Sequence, residues 1–204
     1  MYLRFFLLSF LLLVACKKVD VKVETQESAP KVFFAIGNVT VNGQTAKIGQ
    51  KINDGDIFET GSESFLEAKF NTQSAFRVRE ESRVIFNTGD GITLTVEKGK
   101  VLNILEEDRH FQVRTPSAVA AVRGTIFFVS VINDNKTYFC ACNGTVAIED
   151  DHNKELTSLS SAHHMPNFCD RDGEKLSMES ADMMDHDDLE IFGLMYRMDK
   201  AVVK

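Results

Sequence analysis

The sequence predicts an all-β fold, on three observations. Short segments alternate apolar and polar side chains with a period of two. Leu66, Ala68 and Phe70 alternate with Phe65, Glu67 and Lys69; Phe76 and Val78 with Arg77 and Arg79; Ile92, Leu94 and Val96 with Thr93, Thr95 and Glu97. That is the spacing of strands with one buried face. Turn-forming pairs punctuate the chain at Asn42-Gly43, Asp54-Gly55, Thr60-Gly61, Gly89-Asp90-Gly91 and Asn143-Gly144. No helical period separates the strands from residue 32 to about residue 150, which excludes a parallel α/β sheet. Periodicity alone leaves a sandwich, a barrel or a short β-solenoid, and no repeat of fixed length stands out.

The first fifteen residues are expected to lie outside the fold. Arg4 precedes an apolar run from Phe5 to Val14, which reads as the core of a secretory signal and is too short to span a bilayer. It ends in Leu13-Val14-Ala15-Cys16, which fits a bacterial lipobox with Cys16 as the lipidated first residue of the mature chain. The competing reading is an ordinary secretory signal that retains Cys16. Acyl chains contribute about 0.8 kcal/mol per buried methylene, so several of them hold a protein firmly to a membrane. Residues 16–31 form a polar tether, and Ser28-Ala29-Pro30 marks the start of the domain. The expected organisation is therefore a signal over 1–15, a tether over 16–31, a β-domain over 32–150 and an extension over 151–204.

Apolar residues make up 44% of the 204, enough for a real core. The net charge of −7 becomes −8 once Arg4 leaves. With no basic stripe to neutralise phosphates, nucleic acid is not an expected partner; acidity suits solubility at a membrane surface.

The most β-prone stretch is Ile126-Phe127-Phe128-Val129-Ser130-Val131-Ile132, apolar on both faces and so expected at the centre of a sheet. Small residues, then Arg123 and Gly124, lead into it. Arg123 between Val122 and a glycine is expected partly buried and paired with a carboxylate, since an unpaired buried guanidinium is costly. Gly124 permits a turn or a close backbone approach. Near the C-terminus, Asp185-His186-Asp187-Asp188 reads as a helix start, with Leu189, Phe192 and Tyr196 at helical spacing, joined by Ile191, Met195 and Met198. This predicts an amphipathic helix of three to four turns. Met178, Met183, Met184, Met195 and Met198 with His186 could form a copper tract, or fill the seam between helix and sheet.

Thr115-Pro116 followed by Val122-Arg123-Gly124-Thr125-Ile126-Phe127 resembles the motif of FecR-type periplasmic domains. Further segments agree in order: Ile36-Gly37-Asn38-Val39-Thr40-Val41, Gly49-Gln50-Lys51-Ile52, Asp54 to Gly61, Ser64 to Ala68, Val96 to Val101, and Asn143-Gly144-Thr145-Val146. The resemblance spans roughly residues 36–150. It implies a compact solenoid-like β-roll, and a binding or signalling module that contacts another envelope protein. Family members that regulate iron uptake carry a sigma-regulating segment and a membrane helix before the domain. The lipobox reading leaves neither, so direct sigma control is not expected here.

Chemistry, if present, concentrates at cysteines. Cys140 and Cys142 lie in an expected strand, Thr137 to Cys142, where residues two apart share a face. Downstream come His163, His164 and Cys169, and such soft donors suit zinc, copper(I) or iron. A disulfide from Cys169 to Cys140 or Cys142, or three inert core thiols, are the alternatives. Ser117 has no base nearby, Asp54 and Asp56 read as turn residues, and His110 as part of a polar loop. No phosphate loop, dinucleotide fingerprint or hydrolase elbow occurs, and the sequence predicts a protein that is not an enzyme. Its two readings are an envelope-binding module and a metal-handling lipoprotein.

Overall fold

The computed structural model describes residues 29–89, 91–106, 110–122, 124–152 and 154–200; the signal, Cys16, most of the tether and Arg123 lie outside them. Among the described residues, fifteen strands precede one helix. The first sheet runs in the order β1 (Lys31–Ile36), β5 (Phe65–Lys69), β6 (Ala75–Val78), β8 (Ile92–Ile104), β11 (Ile126–Asn133), β12 (Lys136–Glu149), β14 (Met165–Asp172) and β15 (Lys175–Ser180). The second runs β3 (Gln44–Thr45), β2 (Val39–Val41), β4 (Ile57–Thr60), β7 (Arg83–Thr88), β8, β9 (Phe111–Arg114), β10 (Val119–Val122), β12 and β13 (Glu155–Ser161).

β8 and β12 belong to both sheets. Residues 92–98 of β8 pair with β7, and residues 99–104 pair with β11. Residues 136–143 of β12 pair with β11, and residues 146–149 pair with β10. The ladders β8–β11–β12–β10–β9 return to β8, which closes a small five-stranded barrel. Each shared strand changes sheet at a glycine with positive φ, Gly99 at +89° and Gly144 at +103°. A side chain disfavours that conformation, so glycine marks each corner.

The all-β expectation is met, with β11 central as expected. The ladders do not trace the stacked parallel coils of a solenoid, because among the described residues only β8 and β9 pair in parallel. Two further expectations change. Asn143-Gly144 is not a turn between strands but the corner inside β12. Residues 155–180 are not merely an extension, since β13 and β14 pair with β12. Their sparse apolar residues hid that role from periodicity.

Pleating sends alternate side chains to opposite faces. Val101, Phe127, Val129, Phe139 and Ala141 enter the main core between the sheets. Leu102, Phe128, Tyr138, Cys140 and Cys142 point to the outer face of the first sheet, where α1 (Asp188–Lys200) covers them with Ile191, Leu194 and Met198. Full burial of each such side chain contributes about 1.5–3 kcal/mol. Asp187 caps α1 by accepting the Glu190 N–H at 2.9 Å. The buried stripe differs from the expected one: Leu189, Phe192 and Tyr196 are exposed, and Leu194 is wholly buried. Helical spacing identifies a face, but the sheet's ion pairs decide which face turns inward. Glu67, with no exposed surface, accepts hydrogen bonds from Arg77 of β6 and Arg197 of α1, while Glu190 pairs with Arg77 and Arg79.

Candidate functional site

On β12, Tyr138, Cys140 and Cys142 share the outer face, as spacing by two requires, and the two sulfurs lie 3.9 Å apart. His164 stands in the turn between β13 and β14. Its φ of +47° lets the turn double back, and its N–H donates to the Cys142 carbonyl at 3.1 Å. Nδ1 of His164 thereby comes 3.7 Å from Cys140 Sγ. The segment between β15 and α1 supplies His186, whose ring stacks on Phe128 with centroids 4.2 Å apart and planes at 13°. Nε2 of His186 stands 3.3 Å from Cys142 Sγ. One donor atom from each of Cys140, Cys142, His164 and His186 lies within 4.8 Å of every other.

Both imidazoles are oriented by the nitrogen that faces away from the thiols. The Met184 carbonyl can only accept, so Nδ1 of His186, 2.9 Å away, donates to it, and Nε2 is the nitrogen that faces Cys142. Nε2 of His164 donates to Asp188 Oδ1 at 3.0 Å, and the neighbouring His163 donates to the other oxygen at 3.1 Å. Those two hydrogen bonds, His164's first, hold the Asp188 carboxyl below its usual range. For His164, burial alone would lower the pKa, but bonding to Cys140 and Asp188 outweighs it and the net shift is upward. The Cys140 thiol is drawn down to about 4, chiefly by the Cys142 hydrogen bond and then by His186 and His164. Cys142 is pushed up by the same shared proton and by burial.

The cluster brings together three of the five expected donors, Cys140, Cys142 and His164. Cys169 lies elsewhere. It pairs in register with Thr137, so it faces the main core on the opposite side of the sheet from Cys140 and Cys142, and burial pushes its thiol up to about 11. Cys140, Cys142 and Cys169 are free, so the alternative of a bridge from Cys169 is not formed. His163 is largely exposed; its ring bonds Asp188 and packs edge-on against His164, and it offers no nitrogen to the thiols. His186 is the donor that sequence reasoning left out of the constellation; its one local signal is its place just before the capping Asp187. Of the methionine tract, Met183 brings its sulfur to 3.9 Å from Cys140 Sγ, Met184 and Met198 pack in the apolar layer around Cys140, Met178 packs on the main core, and Met195 is partly exposed.

The residues singled out around Gly124 hold strands together. Thr115 Oγ1 donates to the Ala118 carbonyl at 2.9 Å, and Ser117 Oγ donates to Thr137 Oγ1 at 2.7 Å, all of it buried. Pro116 sits in the turn between them. Gly124 has φ +62°, and its carbonyl oxygen lies 2.8 Å from where a Cβ on Gly144 would stand. Thr125 Oγ1 donates to the Thr145 carbonyl at 2.8 Å.

Residues 56–147 match the family model described as FecR protein. Two crystal structures of a protein from Parabacteroides distasonis ATCC 8503, provisionally named as an anti-sigma factor, are similar at 17% and 16% identity, each with a TM-score of 0.37. The aligned parts cover 64% and 71% of this chain but only 58% and 61% of those. No curated protein matches the sequence.

Proposed function

We propose that this chain is a lipid-anchored cell-envelope protein whose FecR-type β-domain is a protein-binding or signalling module. The observation that carries the reading is the family match over residues 56–147, which takes in most of the barrel. The lipobox at Leu13-Val14-Ala15-Cys16 supplies the anchor, with the domain on the periplasmic or surface side of the membrane. No helix of the described residues is long and apolar enough to cross a membrane. On this reading the domain works by contact with another envelope protein and carries out no reaction of its own.

Two measurements test it. Labelled palmitate is expected to enter the wild-type chain and to be absent from Cys16→Ser; equal labelling would remove the anchor. A photo-crosslinking side chain placed in turn at the exposed positions Ile132, Leu156 and Phe192 is expected to yield one discrete adduct, in intact producing cells, from one of these faces. No adduct from these or any other exposed position would count against a binding module.

A further inference from the structure

We infer that Cys140, Cys142, His164 and His186 form a tetrahedral site for one zinc ion. This goes beyond the envelope-binding reading and stands on side-chain geometry alone. Zinc bonds of about 2.3 Å to sulfur and 2.0–2.1 Å to nitrogen give tetrahedron edges of roughly 3.8 Å between sulfurs and 3.5 Å from sulfur to nitrogen. The corresponding distances here are 3.9 Å between the sulfurs, and 3.7 Å and 3.3 Å from sulfur to nitrogen. Three of the six edges thus match those that the ion requires, and every other pair of donors lies within 4.8 Å.

Charge and surroundings agree with the geometry. Two thiolates balance the ion's double positive charge, so the loaded site is neutral in a buried setting where net charge would be costly. Any protons on the two sulfurs and on the facing imidazole nitrogens leave to water as the ion enters. Asp188 and the Met184 carbonyl hold the distal N–H groups of the two imidazoles, the outer support that metal-bound histidines receive. A cleft of about 410 Å³ that includes His186, Arg79, Asp185 and Glu190 in its wall offers a way in. All four positions are filled by protein, which marks a structural ion rather than a catalytic one. Its effect is to fasten three separate segments, β12, the turn before β14 and the segment before α1.

The full mature chain, purified without added metal, is expected to contain one equivalent of zinc by elemental analysis. After stripping with a chelator it should take up one equivalent of cobalt(II), with the sulfur-to-metal charge-transfer band and intense visible bands of a tetrahedral thiolate site. Cys142→Ser and His186→Ala should weaken binding at least 100-fold, and Asp188→Asn, which removes no ligand, about 10–100-fold. Cys169→Ser and His152→Ala should bind as wild type, and circular dichroism checks that each variant is folded. The assignment is overturned if the stripped, reduced chain takes up neither ion, or if folded His186→Ala binds as tightly as wild type. It is equally overturned by a stable Cys140–Cys142 bridge, read as a mass lower by two hydrogens, or by copper(I) uptake with zinc refused. None of these outcomes bears on palmitate labelling or cross-linking, so the two readings fail separately.

Discussion

Gly99→Ala is expected to lower the stability of the domain by about 3–5 kcal/mol, a large share of the ~5–15 kcal/mol typical of a folded domain. Two costs combine at this corner. The backbone sits at φ +89°, where a Cβ brings strain of about 1–3 kcal/mol. That Cβ would also lie 2.1 Å from Ser82 Oγ and 2.5 Å from Ser82 Cα. The serine cannot simply turn aside, because its backbone is part of the clash and its hydroxyl accepts the Lys100 N–H at 2.9 Å. β8 would have to withdraw from β7 where it passes from one sheet to the other. Gly43→Ala separates the two costs, since Gly43 has φ +73° with open space around its missing side chain. Its loss should be limited to about 1 kcal/mol. Urea denaturation of both variants is the measurement, and equal midpoints would mean that crowding at Ser82 contributes nothing.

Removing the carboxylate of Glu67 is the second large effect. Glu67→Ala leaves Arg77, itself 7% exposed, with half its partners, and takes from Arg197 its hydrogen bonds to Glu67, leaving its contacts over Phe34 and Phe65. Breaking a buried pair from one side costs about 3–5 kcal/mol, because the remaining charge keeps its desolvation penalty. The surviving Arg77–Glu190 contact at 2.8 Å, and the stacking of Arg77 over Phe65, place the expected loss near the lower end, about 3 kcal/mol. Loss of the Glu67–Arg197 bonds should loosen α1 first, visible as faster amide exchange in residues 188–200 than in β11. A double-mutant cycle with Arg197→Ala should be less than additive, by about 0.5–3 kcal/mol. Strict additivity would show that the two side chains do not act together, and unchanged exchange in α1 would show that the ion pairs do not hold the helix.

What could be read along the chain depended on how far each inference had to reach. Alternation at Leu66 to Phe70 and at Ile92 to Val96 announces strands, since side-chain direction depends only on neighbours two residues away. The same rule placed Cys140 and Cys142 on one face before any fold was known. It could not place Cys169, because its side of the sheet depends on which residue of β14 lies opposite Thr137. A shift of one residue would have turned it toward the other two cysteines. His163 and His164 were indistinguishable neighbours until the turn before β14 gave His164 its positive φ and aimed its ring at the thiols.

The sequence by itself determined the all-β class, the central place of the strand from Ile126, the helix near the C-terminus and the shared face of two thiols. Each follows from periodicities and caps that act over a few residues. Only the tertiary structure decided that Gly99 and Gly144 are corners of strands shared by two sheets, that Ile191, Leu194 and Met198 rather than Leu189, Phe192 and Tyr196 turn inward, and that His186 completes the cluster. Those features join residues far apart in the chain, Cys140 and His186 by 46 positions and Glu67 and Arg197 by 130. They arise from ladder register, ion pairing and backbone crossings, which no local pattern encodes.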